Sequence, residues 1–75
     1  MVTEQQVRAA IASVKENFDA NALPIDAIFS DSGLDSLDQA SILLALQEQH
    51  GLTVPQEMET EINSIRKILD FAASA

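Results

Sequence analysis

Residues 35–51 of this 75-residue chain read DSLDQASILLALQEQHG, and they indicate its fold more strongly than any other segment. This segment has the length of a globular helix, and aliphatic residues fill its middle. Ser36 followed by Gln39 predicts an N-terminal capping box, and Gly51 stands where a left-handed residue ends many helices. The sequence therefore predicts a central helix from Ser36 to His50. The residues expected to face the core are Leu37, Ile42, Leu43, Leu44 and Leu46.

A second helix and a long loop precede the central helix. Thr3 and Gln6 predict a capping box for a helix over residues 3–17. Its apolar residues recur at helical spacing: Val7, Ala10, Ile11, Val14 and Phe18. Residues 19–35 predict a loop, which we expect to be pinned to the core by Leu23, Ile25, Ile28, Phe29 and Leu34.

Two shorter segments follow the central helix. Pro55 favours extended backbone before it and can begin a short helical turn over residues 56–61. Asn63 or Ser64 is expected to cap a last helix with an apolar stripe of Ile65, Ile68, Leu69 and Ala72. The fold class predicted is an all-α four-helix bundle, three main helices and one short, with a long first loop. Residues 1–75 are expected to form one domain.

The composition excludes several chemistries. The chain has no cysteine, which rules out disulfides, thiolate catalysis and Cys-ligated zinc. Its longest apolar run, residues 42–46, is too short to span a bilayer, and residues 1–4 lack the features of a signal peptide. We therefore expect a cytoplasmic protein without membrane insertion.

Acidic residues dominate the charge. Twelve acids against four bases give a net charge of −8, and no Lys or Arg occurs from Glu16 to Ile65. This distribution argues against binding to nucleic acid through its phosphates. It is compatible either with simple solubility or with docking on basic patches of partner proteins.

Ser36 has two interpretations when it is considered alone. The first is a helix N-cap, for which serine is a favoured residue. The second depends on its setting in GLDSLD, residues 33–38, at the mouth of a helix after a long loop. That setting, with the segments downstream, resembles acyl carrier proteins over the chain from Val7 to Phe71. The similar downstream features are Leu43, Leu46, Gly51-Leu52, Val54-Pro55, residues 61–65 and residues 69–71.

The resemblance implies a carrier without catalytic residues, not an enzyme. It implies covalent 4'-phosphopantetheine, transferred from coenzyme A to the Ser36 hydroxyl and holding acyl intermediates of fatty-acid or related lipid biosynthesis as thioesters. Asp35, Leu37 and Asp38 would complete the cofactor-binding site, with Asp35 also tied to the transferase reaction. An anion at a helix N-terminus fits this chemistry, because it meets free N–H groups and the positive dipole end.

The partners implied are a phosphopantetheinyl transferase and acyl-processing enzymes with basic patches, which act on a monomer. The acids expected to meet them are Asp31, Asp35, Asp38, Glu48 and Glu57. An aliphatic core with only three Phe and no Trp or Tyr could also part to shelter an acyl chain between the second and last helices. The residues of this predicted acyl pocket are Ala40, Ala45, Leu46, Ile62, Ile65 and Leu69, and the alternative is that they are simply core.

The central helix departs from the family pattern. Ser41, Gln47 and Gln49 stand where fatty-acid carriers commonly have Glu. This raises a carrier for polyketide or aminoacyl units as an alternative, and an unmodified acidic interaction module as a second one. His50 has no partner ligands in the sequence, and no oxyanion motif accompanies a Ser36–His50 pair. Neither a metal site nor a nucleophilic pair is therefore predicted.

Overall fold

The computed structural model describes residues 2–74 and contains three α-helices: α1 (Glu4–Val14), α2 (Ser36–His50) and α3 (Ile65–Ser74). Short 3₁₀ turns lie in the two connections, at Phe29–Ser32 and Gln56–Met58. No strand forms among residues 2–74, which confirms the all-α fold. The short element expected over residues 56–61 is a 3₁₀ turn of three residues. None of the helices in the described part of the chain has the length and apolar character needed to cross a membrane.

The first helix ends earlier than its apolar pattern predicts. The capping box of Thr3 and Gln6 is present, but α1 stops at Val14 instead of continuing to residue 17. Lys15 is extended, and Asn17 takes a left-handed conformation with φ of +66°. Asparagine tolerates that conformation better than most residues. The chain therefore turns here, and Phe18 packs against the core from the loop.

The central helix has the predicted bounds but a different solvent face. Ile42, Leu43 and Leu46 are buried, whereas Leu37 is 77% exposed and Leu44 is 55% exposed. The expectation that all five aliphatic residues face the core was wrong. Leu37 and Leu44 are almost two helical turns apart, so they share the face that points away from the core. At the other end, Gly51 has φ of +71°, which confirms the left-handed C-cap.

The long loop is pinned to the body of the protein by main-chain hydrogen bonds. The Phe29 N–H donates to the Asn63 carbonyl over 2.9 Å, and the Arg66 N–H donates to the Ile25 carbonyl over 2.9 Å. Most of the expected apolar anchors are at least partly buried, but Ile28 is 41% exposed and does not anchor the loop. The buried anchors are Leu23, Phe29 and Leu34.

The core lies where α1 packs against both α2 and α3. It is aliphatic apart from the fully buried ring of Phe29. At the start of α3 the Ser64 hydroxyl accepts a hydrogen bond from the Lys67 N–H over 3.1 Å. Ser64, one of the two predicted caps, is therefore the residue that begins the last helix.

Candidate functional site

Ser36 is the first residue of α2, and its neighbour Asp35 is the N-cap. The Asp38 N–H donates to Asp35 Oδ1 over 2.8 Å, and the Asp35 N–H donates to Asp38 Oδ2 over 3.1 Å. The capping box predicted for Ser36 and Gln39 was therefore wrong by one position. Aspartate is at least as good a cap as serine, and here the reciprocal acid at the third helical position completes the box. The correction leaves the exposed Ser36 hydroxyl outside the cap.

The setting of Ser36 fits a phosphodiester. An α-helix leaves its first N–H groups without partners inside the helix, and the box here uses that of Asp38. The N–H groups of Ser36 and Leu37 lie in the same first turn, at the positive end of the helix dipole. A negative charge held there gains about 0.3–1 kcal/mol. The residues present thus suit the attachment of a phosphorylated group at Ser36.

Asp38 is partly neutralised by the end of α1. Lys15 Nζ lies 3.0 Å from Asp38 Oδ2, and the Asp38 side chain is only 17% exposed. The hydrogen bond from Lys15, followed by that from the Asp35 N–H, lowers the pKa of Asp38. Asp38 therefore has two partners within the fold, and its contact with partner proteins stays a prediction.

The other predicted partner residues lie on the surface. Asp31, Asp35, Glu48 and Glu57 are exposed, but Asp35 also serves as the helix cap. His50 is exposed in the last turn of α2, away from the N-terminus that holds Ser36.

A groove of about 390 Å³ opens beside Ser36, between the start of α2 and the segment that leads into α3. Most of its lining residues have polar side chains, but the larger part of the surface that they expose to the groove is apolar. The lining residues are Ser30, Ser36, Gln39, Ala40, Glu59, Thr60 and Asn63. The groove lies where a group attached to Ser36 could enter.

The acyl pocket predicted from the sequence stays a prediction, and it is largely separate from this groove. Of its six residues only Ala40 lines the groove. Leu46, Ile62 and Ile65 are buried in the core, and Ala45 and Leu69 pack against it. They fill the interior because their apolar side chains are close-packed there, so the alternative that they are core holds for this state.

Gln39 and Asn63 are site residues that sequence reasoning missed. Gln39 Nε2 donates to the carbonyls of Glu59 and Ile62, the latter over 3.1 Å, and so ties α2 to the far wall of the groove. The sequence did single out both residues, but only as candidates for helix capping. Nothing in the local sequence around them predicts that they line the same groove.

Comparisons with known proteins extend this picture to a family. Residues 5–72 match the family described as "Phosphopantetheine attachment site". The chain is 36% identical over 75 residues to "Acyl carrier protein 2, mitochondrial" of Arabidopsis thaliana, covering 95% of this chain and 60% of the relative. It is 33% identical over 70 residues to "Acyl carrier protein" of Treponema pallidum (strain Nichols), covering 92% of this chain and 88% of the relative. The chain thus spans less than two thirds of the Arabidopsis relative, but most of the Treponema one.

A solved structure supports the fold independently. The solution structure of 3-oxo-butyl-ACP, from the actinorhodin polyketide synthase of Streptomyces coelicolor, superposes with a TM-score of 0.78 at 23% identity. The alignment covers 99% of this chain and 90% of that one. At this identity the likeness concerns the fold alone. The family match over residues 5–72 and the curated relatives show that the chain belongs to the acyl carrier protein family. Members of this family carry covalent 4'-phosphopantetheine and are carriers, not enzymes.

Proposed function

We propose that this chain carries acyl intermediates of fatty-acid or related lipid biosynthesis, tethered covalently through Ser36. The observation that supports this most is that two adjacent residues at the start of α2 have different roles. Asp35 caps the helix, so the exposed Ser36 hydroxyl is left for a transferase. When attached, the phosphopantetheine arm supplies the thiol that holds the acyl group as a thioester.

The residues around Ser36 have distinct roles in this proposal. Ser36 Oγ forms the new bond to phosphorus and gives up its proton, while the bond to the adenosine bisphosphate part of coenzyme A breaks. The first turn of α2 stabilises the resulting phosphodiester anion through its N–H groups and dipole. Asp35 holds the turn in shape and is exposed enough to meet the transferase. Leu37 offers an exposed apolar side chain next to the attachment point.

The proposed partners are a phosphopantetheinyl transferase and acyl-processing enzymes with basic docking surfaces, which meet this protein as a monomer. The exposed acids Asp31, Glu48 and Glu57 support this, together with the net charge of −8. Opposite charges steer such encounters and make their rates sensitive to salt. We propose the cytoplasm as the compartment, which fractionation of the native cells would test.

A second candidate function is a carrier for polyketide or aminoacyl units in a specialised pathway. It is favoured by the solvent face of α2, where Ser41, Gln47 and Gln49 are exposed and uncharged. The exposed Leu37 and Leu44 make this face more apolar still. A partner protein that binds this face of α2 therefore contacts few charged side chains. Mass analysis of the group bound to the protein in native cells would distinguish the two candidates.

Intact mass measurement tests the attachment itself. The purified apo chain is incubated with coenzyme A, Mg²⁺ and a broad-specificity phosphopantetheinyl transferase. We expect one added phosphopantetheine in the wild type and in Ser41→Ala, an exposed serine on the same helix, and none in Ser36→Ala. An unchanged wild-type mass, with a transferase that modifies another carrier in the same assay, would refute the proposal.

A further inference from the structure

Asn63 has a buried acceptor without a partner in the wall of the groove beside Ser36. Its Oδ1 atom is closed to solvent and accepts no hydrogen bond from the described part of the chain. The residue lines the groove together with Ser36 and Gln39. Buried polar atoms are satisfied in most native proteins, because leaving one unpaired costs free energy. An orphan acceptor here is therefore a feature that a bound group could satisfy.

One side-chain donor of the groove is already in use. Gln39 Nε2 donates to the carbonyls of Glu59 and Ile62, while the Ser64 hydroxyl accepts from the Lys67 N–H. The main chain of Asn63 is also held, since its carbonyl accepts from the Phe29 N–H over 2.9 Å. The backbone on this side of the groove is thus tied to α2 and to the long loop. No donor of the described residues bonds to Asn63 Oδ1 in this structure, and a group that enters the groove could supply one.

We propose that Asn63 accepts a hydrogen bond from a donor on the group attached at Ser36. This inference rests on the proposed function and names the class of group that suits the groove. Two sources supply such a donor: an amide N–H of the arm itself, or a hydroxyl on the acyl group. A plain hydrocarbon chain supplies none and would leave Oδ1 unpaired.

The shielding of Oδ1 adds a physical condition to this contact. Water does not reach the atom, so a donor reaches it only from inside the groove, with a small displacement of the wall. The wall at residues 59–63 is irregular backbone, held to α2 by the Gln39 carboxamide. Such a segment yields more readily than a helix. We therefore expect attachment at Ser36 to favour the contact, because it holds the donor beside the groove.

The test compares four forms of the protein: apo, arm alone, butyryl-loaded and 3-hydroxybutyryl-loaded. The intact mass of each form is measured before and after the experiment. Circular dichroism monitors the unfolding of each form by urea at room temperature. The variants are Asn63→Leu, Asn63→Ala in case leucine does not fit, and Asn21→Ala as a control asparagine on the exposed loop. Nitrogen–proton spectra of the Asn63 side-chain amide provide a second readout.

A contact to the hydroxyl predicts that the 3-hydroxybutyryl form is more stable than the butyryl form. A contact to the arm predicts that the stability already rises on going from apo to arm alone. In either case we expect a roughly fivefold change in the unfolding equilibrium constant, the size of one net hydrogen bond. The gain should disappear in both Asn63 variants, persist in Asn21→Ala, and coincide with a shift of the Asn63 amide signals.

If no form gains stability that depends on Asn63, the inference is wrong, even where loading succeeds. A failure of loading appears separately in the mass and counts against the proposed function. The groove is then judged on the apo protein by titration with the N-acetylcysteamine thioesters of the same two acids. Equal shifts of the Asn63 signals with the hydroxylated and plain thioesters would overturn a contact to the acyl hydroxyl, and the absence of shifts with both would overturn the contact to Asn63.

Discussion

Two adjacent residues at the start of α2 do different work. Asp35 accepts a hydrogen bond from the Asp38 N–H, whereas Ser36 presents an exposed hydroxyl outside the cap. Serine and aspartate are both good caps, so local preference does not say which of the two takes the position. The choice of Asp35 separates the stability of the helix from the chemistry at Ser36.

This separation predicts different costs for two alanine substitutions. Asp35→Ala should lower the free energy of unfolding by about 1 kcal/mol, because it removes the cap. Ser36→Ala should change it by less than about 0.5 kcal/mol, as for other surface positions. Urea unfolding of the apo protein measures both, with the exposed Asp31→Ala as a control for removing an acid. A larger loss for Ser36→Ala than for Asp35→Ala would mean that the serine is the cap.

At the scale of elements, an ion pair joins the end of α1 to the first turn of α2. Lys15 follows the last residue of α1, and its Nζ reaches Asp38 Oδ2 over 3.0 Å. This contact positions the first turn that holds Ser36. It also lowers the pKa of Asp38 in the folded state, with the hydrogen bond from Lys15 as the largest cause.

The lowered pKa predicts how stability depends on pH. Because Asp38 holds its proton less tightly in the folded state, its stabilising effect is fully present above the usual pKa of 3.8. The effect is lost as the pH falls through the lower, folded value. In Lys15→Gln the Asp38 carboxyl should titrate closer to its usual pKa. The free energy of unfolding should then fall less as the pH is lowered. Carboxyl carbon shifts followed by NMR measure this directly.

The control for this experiment is Lys67→Gln, which removes a lysine from the exposed surface of α3. It should leave the titration of Asp38 unchanged. If Lys15→Gln also leaves it unchanged, the ion pair does not govern the first turn of α2.

At the scale of the whole molecule, one arginine holds the long loop against α1. Arg8 Nη1 donates to the carbonyls of Ala20 and Leu23 over 2.7 and 2.6 Å. A planar guanidinium offers several donors in fixed directions, which lysine does not. Arg8→Lys should therefore leave a partly buried carbonyl unpaired and lower the free energy of unfolding by about 1–3 kcal/mol. Urea unfolding and hydrogen exchange over residues 18–24 check this.

Arg66→Lys is the matched control. Its ion pair with Asp26 lies at the surface, with the two side chains 52% and 71% exposed. Exposed pairs contribute about 0–1 kcal/mol, so this change should have a small effect. Equal losses in the two variants would show that Arg8 does not hold the loop.

Much of the fold followed from local sequence patterns. The bounds of α2, the caps at Thr3 and Gly51, and the burial of Phe29 were predicted from spacing and residue type. The early end of α1 was not, because its apolar period continues to Phe18 although the chain has already turned at Asn17. Periodicity reports which residues pack inward, but not whether they do so from a helix or from a loop.

The amino-acid pattern alone indicates an acidic helical domain with Ser36 at the mouth of its central helix, because helix period, caps and charge are properties of neighbouring residues. The folded structure was needed to show that Asp35 and not Ser36 caps the helix, and that Leu37 and Leu44 face solvent. It also decided the groove, whose walls come from segments far apart in the chain. Contacts such as that of Gln39 with the Ile62 carbonyl depend on how helices pack, and packing leaves no trace in a local pattern.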